Sequence, residues 1–567
     1  MRVLVIGAVA CGTRAACRLK RLRPDAEILM IDQDQYISYG GCGMPYYLTG
    51  DVSHIDELRR TTFHAIRDER FFKEAKGIEV LTRVKAEEID RRKKTVKVRW
   101  LDTGKTEEIG YDKLVLATGT KPKVPPIPGV DLEGVHTLSN LHDAIRIKEK
   151  LVKGEVKNPL VIGAGFIGLE VVEAFGESWG LPVTLLEYFP QVLPRLIDPV
   201  LSRIIENHLR KKGVKVVLNA RIKEIVGKNG KVVGVRTEDG FYPADLVLLA
   251  TGVIPNTDLA KQAGLLVSPL TGGIVVNERM QTSDPDIYAG GDCVEVVHLI
   301  TGKRMLMPQG SLANKQGRVI GTNLAGGYAR FKGTIGAFIL KCFDMSIGGC
   351  GISLGVAKAE GFVDATYALN IQHERAHFFS IGCSYYNLVF DKRTGKVLGF
   401  QSVGPYTDGT LARVHAMSTL LLEKPSVADL VELELAYSPP FNTALDPINV
   451  VGHVAENLIF ERFKPIEWEE VLRRLRERDR DLLIVDVRTP EEAKEMVQRY
   501  PNWINLPYQG AKEAIKTLPK DKDLVVVCSV GTRSYEVVRW LKAEGYTRVF
   551  MPMGGVVLAK SWGEDVR

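Results

Sequence analysis

Short apolar runs recur along the chain, and after each a loop and then a helical pattern begin. Residues 2–6, RVLVI, lead into the loop GAVACG and then TRAACRLKRL. Residues 158–175, NPLVIGAGFIGLEVVEAF, repeat that arrangement. Near the C-terminus LLIVD (482–486) runs into VRTPEEA, and DLVVV (523–527) into CSVGTRSYEVVRWLKAEGY. Apolar runs without alternation predict strands buried on both faces. A helix after each strand predicts parallel βαβ units and an α/β fold. Two further runs, LVLATGTKP (114–122) and LVLLATGVIP (246–255), share a signature, and each follows one of the first two units.

The loops carry the first chemistry. Gly7 permits a tight turn after the first strand and Gly12 permits close helix packing, so a helix N-terminus faces a pyrophosphate. Val9 stands where G-x-G-x-x-G has its middle glycine. Asp32 ends the next strand, AEILMID, where a carboxylate meets a ribose hydroxyl. The second copy is complete: Gly163, Gly165 and Gly168, with Glu187 ending PVTLLE. A carboxylate there accepts from a free 2′-hydroxyl and repels a 2′-phosphate, and the following YFPQ offers no Arg. NADH is therefore expected over NADPH.

The stretch SYGGCGMPYYLTG (38–50) holds Cys42 between Gly41 and Gly43. Positions 37 and 47 are Ile and Tyr, so no second cysteine pairs with it nearby. A lone thiol must exchange with something that arrives: a thiol-bearing cofactor, a peroxide oxygen, or sulfur. Pro45 suits the first turn of a helix whose N-terminal dipole would lower the thiol pKa.

Composition narrows the setting. A chain of 567 residues suggests roughly four domains. The net charge of +7 is diffuse, with no Lys/Arg run of the kind that binds nucleic acid. No segment approaches 18 apolar residues, so no membrane span is expected. The N-terminal run turns into a glycine loop rather than a cleavage site. Eight cysteines without a CxxC pair read as reduced thiols, which implies the cytoplasm. No metal site is expected.

The order of these motifs, together with TSDPDIYAGGDC (Asp292 after two glycines) and PQGSLANKQGR, resembles the two-dinucleotide-binding-domain flavoprotein disulfide reductases over residues 1 to about 452. The resemblance implies FAD on the first unit, through Gly7, Gly12, Asp32, Thr118, Gly119, Asp292 and Ala313. It implies NADH on the inserted second unit, through Gly163, Gly165, Gly168, Glu187 and Gly252. SYGGCGMPYY is similar to the S-x-x-N-C-G-x-P-Y segment of the single-cysteine branch, which holds coenzyme A disulfide reductases and NADH oxidases and peroxidases. Cys42 would then be the redox centre, although Gly41 replaces the usual Asn. Arg14, Arg18 and Arg21 share one helix face. Arg18, Arg21 and Lys76 align with the branch's coenzyme A contacts, Arg14 and Ser38 are further substrate-binding candidates, and such cations suit phosphates.

Residues 326–452 resemble the dimerisation domain of that family and close on LELAYSPPFNTALDPINVVG. Tyr437 matches a Tyr that reaches the partner subunit's active site, which implies a homodimer with a shared site. Phe378, Phe379 and Leu445 stand where polar residues are usual. The tail resembles a rhodanese domain: Cys528 opens the loop CSVGTRS, whose backbone N–H groups form an anion pocket with Arg533. Asp486 and Arg488 read as a structural pair.

The implied architecture is α/β: an FAD-binding domain (1–150 and 276–325), an NADH-binding domain (151–275), an α+β dimerisation domain (326–452), a linker (453–465) and an α/β rhodanese domain (466–567). The implied activity is NADH-dependent reduction of persulfides and polysulfides, coenzyme A persulfide included, at Cys42, with Cys528 carrying sulfane sulfur. The alternatives are coenzyme A disulfide reduction, sulfur trafficking by a sulfurtransferase, and NADH peroxidase or oxidase activity.

Overall fold

The computed structural model describes residues 1–566, which fall into two compact units. The first comprises Met1–Pro190 and Lys212–Thr334, the second Gln191–Lys211 and the chain from Ile335 onward. Among the described residues no helix is long and apolar enough to cross a membrane.

Two parallel sheets organise the first unit. One orders its strands Ile287–Ala289, Lys113–Leu116, Arg2–Ile6, Glu27–Ile31 and Glu79–Leu81. Val3, Leu4 and Val5 at its centre are buried, as an unbroken apolar run requires when both faces are covered. The helix Cys11–Leu22 crosses over one face and packs on the helix Gly310–Leu324. A side-chain carbon at Gly317 would lie 2.4 Å from the Cys11 carbonyl oxygen, so glycine there sets how near the two helices come. The other sheet orders Lys215–Val217, Thr184–Leu186, Pro159–Ile162, Leu246–Leu249 and Val135–His136. The chain thus writes the same strand–turn–helix unit twice, and the loops after the strands place the candidate residues.

The second unit contains an antiparallel five-stranded sheet, ordered Phe338–Cys342, Met345–Gly351, Val397–Pro405, Cys383–Asp391 and Ala365–His373. It also contains a parallel four-stranded sheet, ordered Trp503–Asn505, Leu482–Asp486, Asp523–Val527 and Val549–Phe550. The stretch read as a linker is partly helical, because the helix Pro447–Ile459 runs into it. The tail is anchored rather than loosely tethered. Trp562 Nε1 donates to the Val200 carbonyl at 2.9 Å. The Arg203 guanidinium lies 3.9 Å from the Trp562 ring centre and pairs with Glu469 and Glu564 at 2.7 and 2.9 Å. Tyr367 donates to Glu467 at 2.7 Å, and Tyr385 bonds Ser561. A shared cation–π and ion-pair centre of this kind fixes an orientation as well as adding attraction.

Candidate functional site

Gly7 and Gly163 hold the turns after their strands at φ +101° and +105°, a region that favours glycine. Gly12 and Gly168 sit one turn into the following helices. A carbon on either would lie 1.9 Å from the carbonyl oxygen of Gly7 or Gly163, so each helix closes on its own turn. Neither helix, Cys11–Leu22 nor Phe166–Glu173, has a side-chain cap or an acidic residue in its first turn. An uncapped helix N-terminus of this kind suits an anion. Gly165 has open space where its side chain would be, and it is the residue a phosphate would approach. The replacement of the middle glycine by Val9 in the first copy leaves this uncapped terminus in place. The two loops therefore fit two dinucleotides.

The carboxylates at the strand ends are already anchored. Asp32 accepts from the Ala8 and Asp34 amides at 2.8 and 2.9 Å, and burial raises its pKa. Glu187 is buried and accepts from the Ala164 and Phe189 amides at 2.7 and 2.8 Å. Each acid is thus tied to its own glycine loop. Folding also brings Arg221 onto the Tyr188 ring, 3.8 Å from its centre, a cation beside Glu187 that YFPQ does not announce. Thr118 and Gly119 are stapled to a second loop: Thr118 Oγ1 donates to the Asn256 carbonyl at 2.6 Å, and the Asn256 amide donates to Gly119 at 2.9 Å. The carbonyl of Gly252 accepts from the Lys123 amide at 2.9 Å.

Cys42 is exposed in the short turn Gly41–Gly43, directly before the helix Met44–Thr49, which has Pro45 in its first turn. The longer helix Gly310–Leu324 also begins beside it: a carbon on Gly310 would lie 3.9 Å from Cys42 Sγ. Neighbouring protein nevertheless desolvates the thiol and pushes its pKa up. The charges of Glu170 and Asp292 add to that, and amides including Gly310 N–H oppose it. The expectation of a lowered pKa is therefore reversed, because burial and two carboxylates outweigh the amides. Burial also lifts Glu170 to about 7, helped by Glu173, and Asp292 to about 6 against a hydrogen bond from the Gln309 amide. Ala313 is buried in the first turn of that same helix. Glu170 is a neighbour that the sequence reading missed; its only signal is its place two residues beyond Gly168.

Arg14, Arg18 and Arg21 lie along Cys11–Leu22, and the electrostatics of Cys17 couple Arg14 and Arg21 to Lys76. Arg18 donates to Thr322 at 3.1 Å, and Arg318, absent from the sequence reading, adds a fifth cation. Burial and these like charges lower the Arg18 pKa. Among the described residues none of the five pairs with a carboxylate. Ser38 is buried, with its amide bonded to Ala8 at 2.8 Å, so it tethers the Cys42 loop to the first glycine loop.

In the second unit Tyr437 is 54% exposed. Its segment is held by Arg413, a buried cation that pairs with Asp446 at 2.9 Å and donates to Asn442 at 2.8 Å. Asn442 in turn bonds the Ala436 carbonyl. In the tail, Cys528 follows the strand Asp523–Val527, and its Sγ accepts from the Gly531 amide at 3.1 Å. Arg533 reaches Ser529 at 2.7 Å and Glu492 at 3.3 Å. Asp486 and Arg488 form a fully buried pair at 2.7 Å, and Trp503 donates to the same carboxylate. That pair holds the fold and stays away from solvent.

Residues 1–317 match the family "Pyridine nucleotide-disulphide oxidoreductase", and residues 467–561 match "Rhodanese-like domain". A solved structure of a NAD-dependent persulfide reductase from A. fulgidus is similar over 98% of this chain and 100% of its own, with 41% identity and a TM-score of 0.93. A protein of Methanocaldococcus jannaschii named NADH oxidase is 36% identical over 80% of this chain and 98% of its own length. One of Pyrococcus abyssi named NAD(P)H sulfur oxidoreductase (CoA-dependent) is 37% identical over 80% of this chain and 97% of its own.

Proposed function

The chain belongs to the pyridine nucleotide-disulphide oxidoreductase family, whose enzymes use FAD and NAD(P)H, and from this we propose that it reduces persulfides and polysulfides, coenzyme A persulfide among them, at Cys42 with NADH. The observation that carries the reading is one chain holding both an open lone thiol, Cys42, and a folded sulfur-binding loop at Cys528. We assign FAD to the first glycine loop with Asp32, Thr118, Gly119, Asp292 and Ala313. NADH goes to the second with Glu187 and Gly252.

FAD, when bound, carries an electron pair between the nicotinamide and a sulfur atom. The Cys42 thiolate attacks the outer sulfur of R–S–SH; the S–S bond breaks, R–S⁻ leaves, and Cys42–S–SH remains. Two electrons and a proton then release HS⁻ and return the thiol. The carboxyls of Glu170 and Asp292, lifted toward neutrality, stand beside Cys42 where protons are exchanged. The cations Arg14, Arg18, Arg21 and Lys76 suit the phosphates of a coenzyme A substrate.

The homodimer reading is supported by the exposed apolar residues Phe378, Phe379, Ile381, Tyr437, Phe441 and Leu445. They lie on two segments joined by Ala376 N–H to the Pro439 carbonyl at 3.2 Å. The reading includes Tyr437 reaching the partner's site. Coenzyme A disulfide reduction is the second reading, favoured by the same basic cluster.

The deciding experiment is NADH oxidation with coenzyme A persulfide, coenzyme A disulfide, polysulfide and peroxide in turn. Persulfide and polysulfide are expected to give the highest kcat/KM; a preference for peroxide or disulfide overturns the reading. Arg18→Ala is expected to raise KM for the coenzyme A substrates roughly tenfold and for polysulfide hardly at all. An equal effect on both would remove the cluster from substrate binding. NADH is expected to exceed NADPH in kcat/KM on the order of tenfold, from like-charge repulsion at Glu187. Glu187→Ala should erode that ratio, and equal use of both cofactors by the wild type would refute the assignment.

A further inference from the structure

The Cys528 loop is capped by a closed polar triangle that the CSVGTRS motif alone does not contain. Ser529 Oγ donates to Glu492 Oε1 at 2.9 Å. Arg533 donates to Ser529 Oγ at 2.7 Å and reaches both Glu492 oxygens at 3.3 and 3.4 Å. Glu492 comes from the neighbouring helix Pro490–Arg499, where it also accepts from the Thr489 amide at 3.0 Å as the third residue of a capping box. Burial opposes its charge, but the Thr489 amide, Arg533 and Ser529 overcome that and draw its pKa down to about 2, so it is ionised near neutrality. The guanidinium that the loop aims toward Cys528 is thus already paired with a carboxylate. The amide of Gly531 on Cys528 Sγ remains as a neutral donor.

We propose that Glu492 selects the sulfur donor of Cys528: it turns away dianionic oxo-sulfur donors of the thiosulfate class and leaves the loop to monoanionic or uncharged organic persulfides. The physical reason is charge. A rhodanese loop that binds thiosulfate needs net positive charge facing the S–SO₃ group. Here Arg533 and Glu492 cancel, and the Glu492 carboxylate repels each negative charge of the donor. A persulfide carries at most one such charge, so the penalty on thiosulfate is about twice as large.

The transfer is the same for both donors. The Cys528 thiolate attacks the sulfane sulfur and forms a new S–S bond. The donor's own S–S bond breaks, and R–S⁻ or sulfite leaves with that bond's electron pair. Cys528–S–S⁻ remains, and cyanide can remove its outer sulfur as thiocyanate. No external oxidant or reductant enters.

This inference rests on Cys528 carrying sulfane sulfur, and the experiment separates the two claims. The full-length holoenzyme, wild type and Glu492→Gln, is assayed for thiocyanate formation with thiosulfate and with 2-mercaptoethanol persulfide, whose only charge is on the persulfide. The Gln carbonyl oxygen can still accept from the Thr489 amide while its NH2 donates to Ser529 Oγ, so the helix cap and the loop are kept while the charge is removed. Glu492→Gln is expected to raise kcat/KM for thiosulfate on the order of tenfold and to change that for the persulfide less than twofold. The gain on thiosulfate should shrink as salt is added. Glu492→Asp, which restores the charge, should return the wild-type donor ratio. Equal changes with both donors, or no change with thiosulfate, would overturn the proposal. A wild type that loads sulfur from neither donor would overturn the parent reading and take this one with it.

Discussion

Cys42→Ser is expected to cost roughly three orders of magnitude or more in NADH oxidation with every sulfur acceptor. The serine hydroxyl is close in size, so the turn Gly41–Gly43 and its contacts remain. The change removes only the atom that forms and breaks S–S bonds. The neighbourhood sharpens the argument. Burial, Glu170 and Asp292 already make the Cys42 anion harder to form, and a hydroxyl in that place stays protonated. The flavin content of the purified variant should match the wild type, because Gly7, Gly12 and Asp32 are untouched. Stopped-flow reduction by NADH should keep its rate. Substantial persulfide reduction by Cys42→Ser would show that sulfur is handled elsewhere.

The second large effect is in the tail. Cys528→Ser is expected to abolish persulfide on residues 466–567 after treatment with polysulfide, read by mass spectrometry of alkylated peptides. Reduction of coenzyme A disulfide should stay within about twofold of wild type, since that exchange needs Cys42 alone. If the tail supplies Cys42, protein-borne sulfane sulfur should be reduced more slowly by the variant, and small free persulfides much less so. Equal turnover by wild type and variant on every sulfur source would leave the tail without a part in the reductase cycle. Plain coenzyme A disulfide reduction would then be the better reading.

The two glycine loops and Cys42 are legible because their causes are local. A turn at φ above +100° demands glycine, and a strand covered on both faces writes itself as an apolar run. The strand ends that carry Asp32 and Glu187 are equally local. Glu492 shows where such reading stops. Three residues after Thr489 it fits a capping box completely, and a satisfied local explanation hides its second contact with Ser529 and Arg533, some forty residues on. The same holds for Glu170 beside Cys42 and Arg221 on Tyr188. The raised thiol pKa could not be read at all, because it is the balance of desolvation, the carboxylates of Glu170 and Asp292, and the amides of Cys42 and Gly310. The grouping of Pro199–Lys211 with the C-terminal half is also silent in sequence, since an apolar helix face reads alike whatever covers it.

The bond from Trp562 to the Val200 carbonyl spans 362 positions along the chain. On a ribosome, the helix Pro199–Lys211 emerges long before the residue that covers it has been made. Its face near Val200 and Arg203 must wait for Trp562 through the synthesis of residues 212–561, the rest of the first unit included. The helix Gly555–Ser561 with Trp562 then closes a seam opened hundreds of residues earlier. Until then that face is open to the misassembly that long multi-domain chains risk during synthesis.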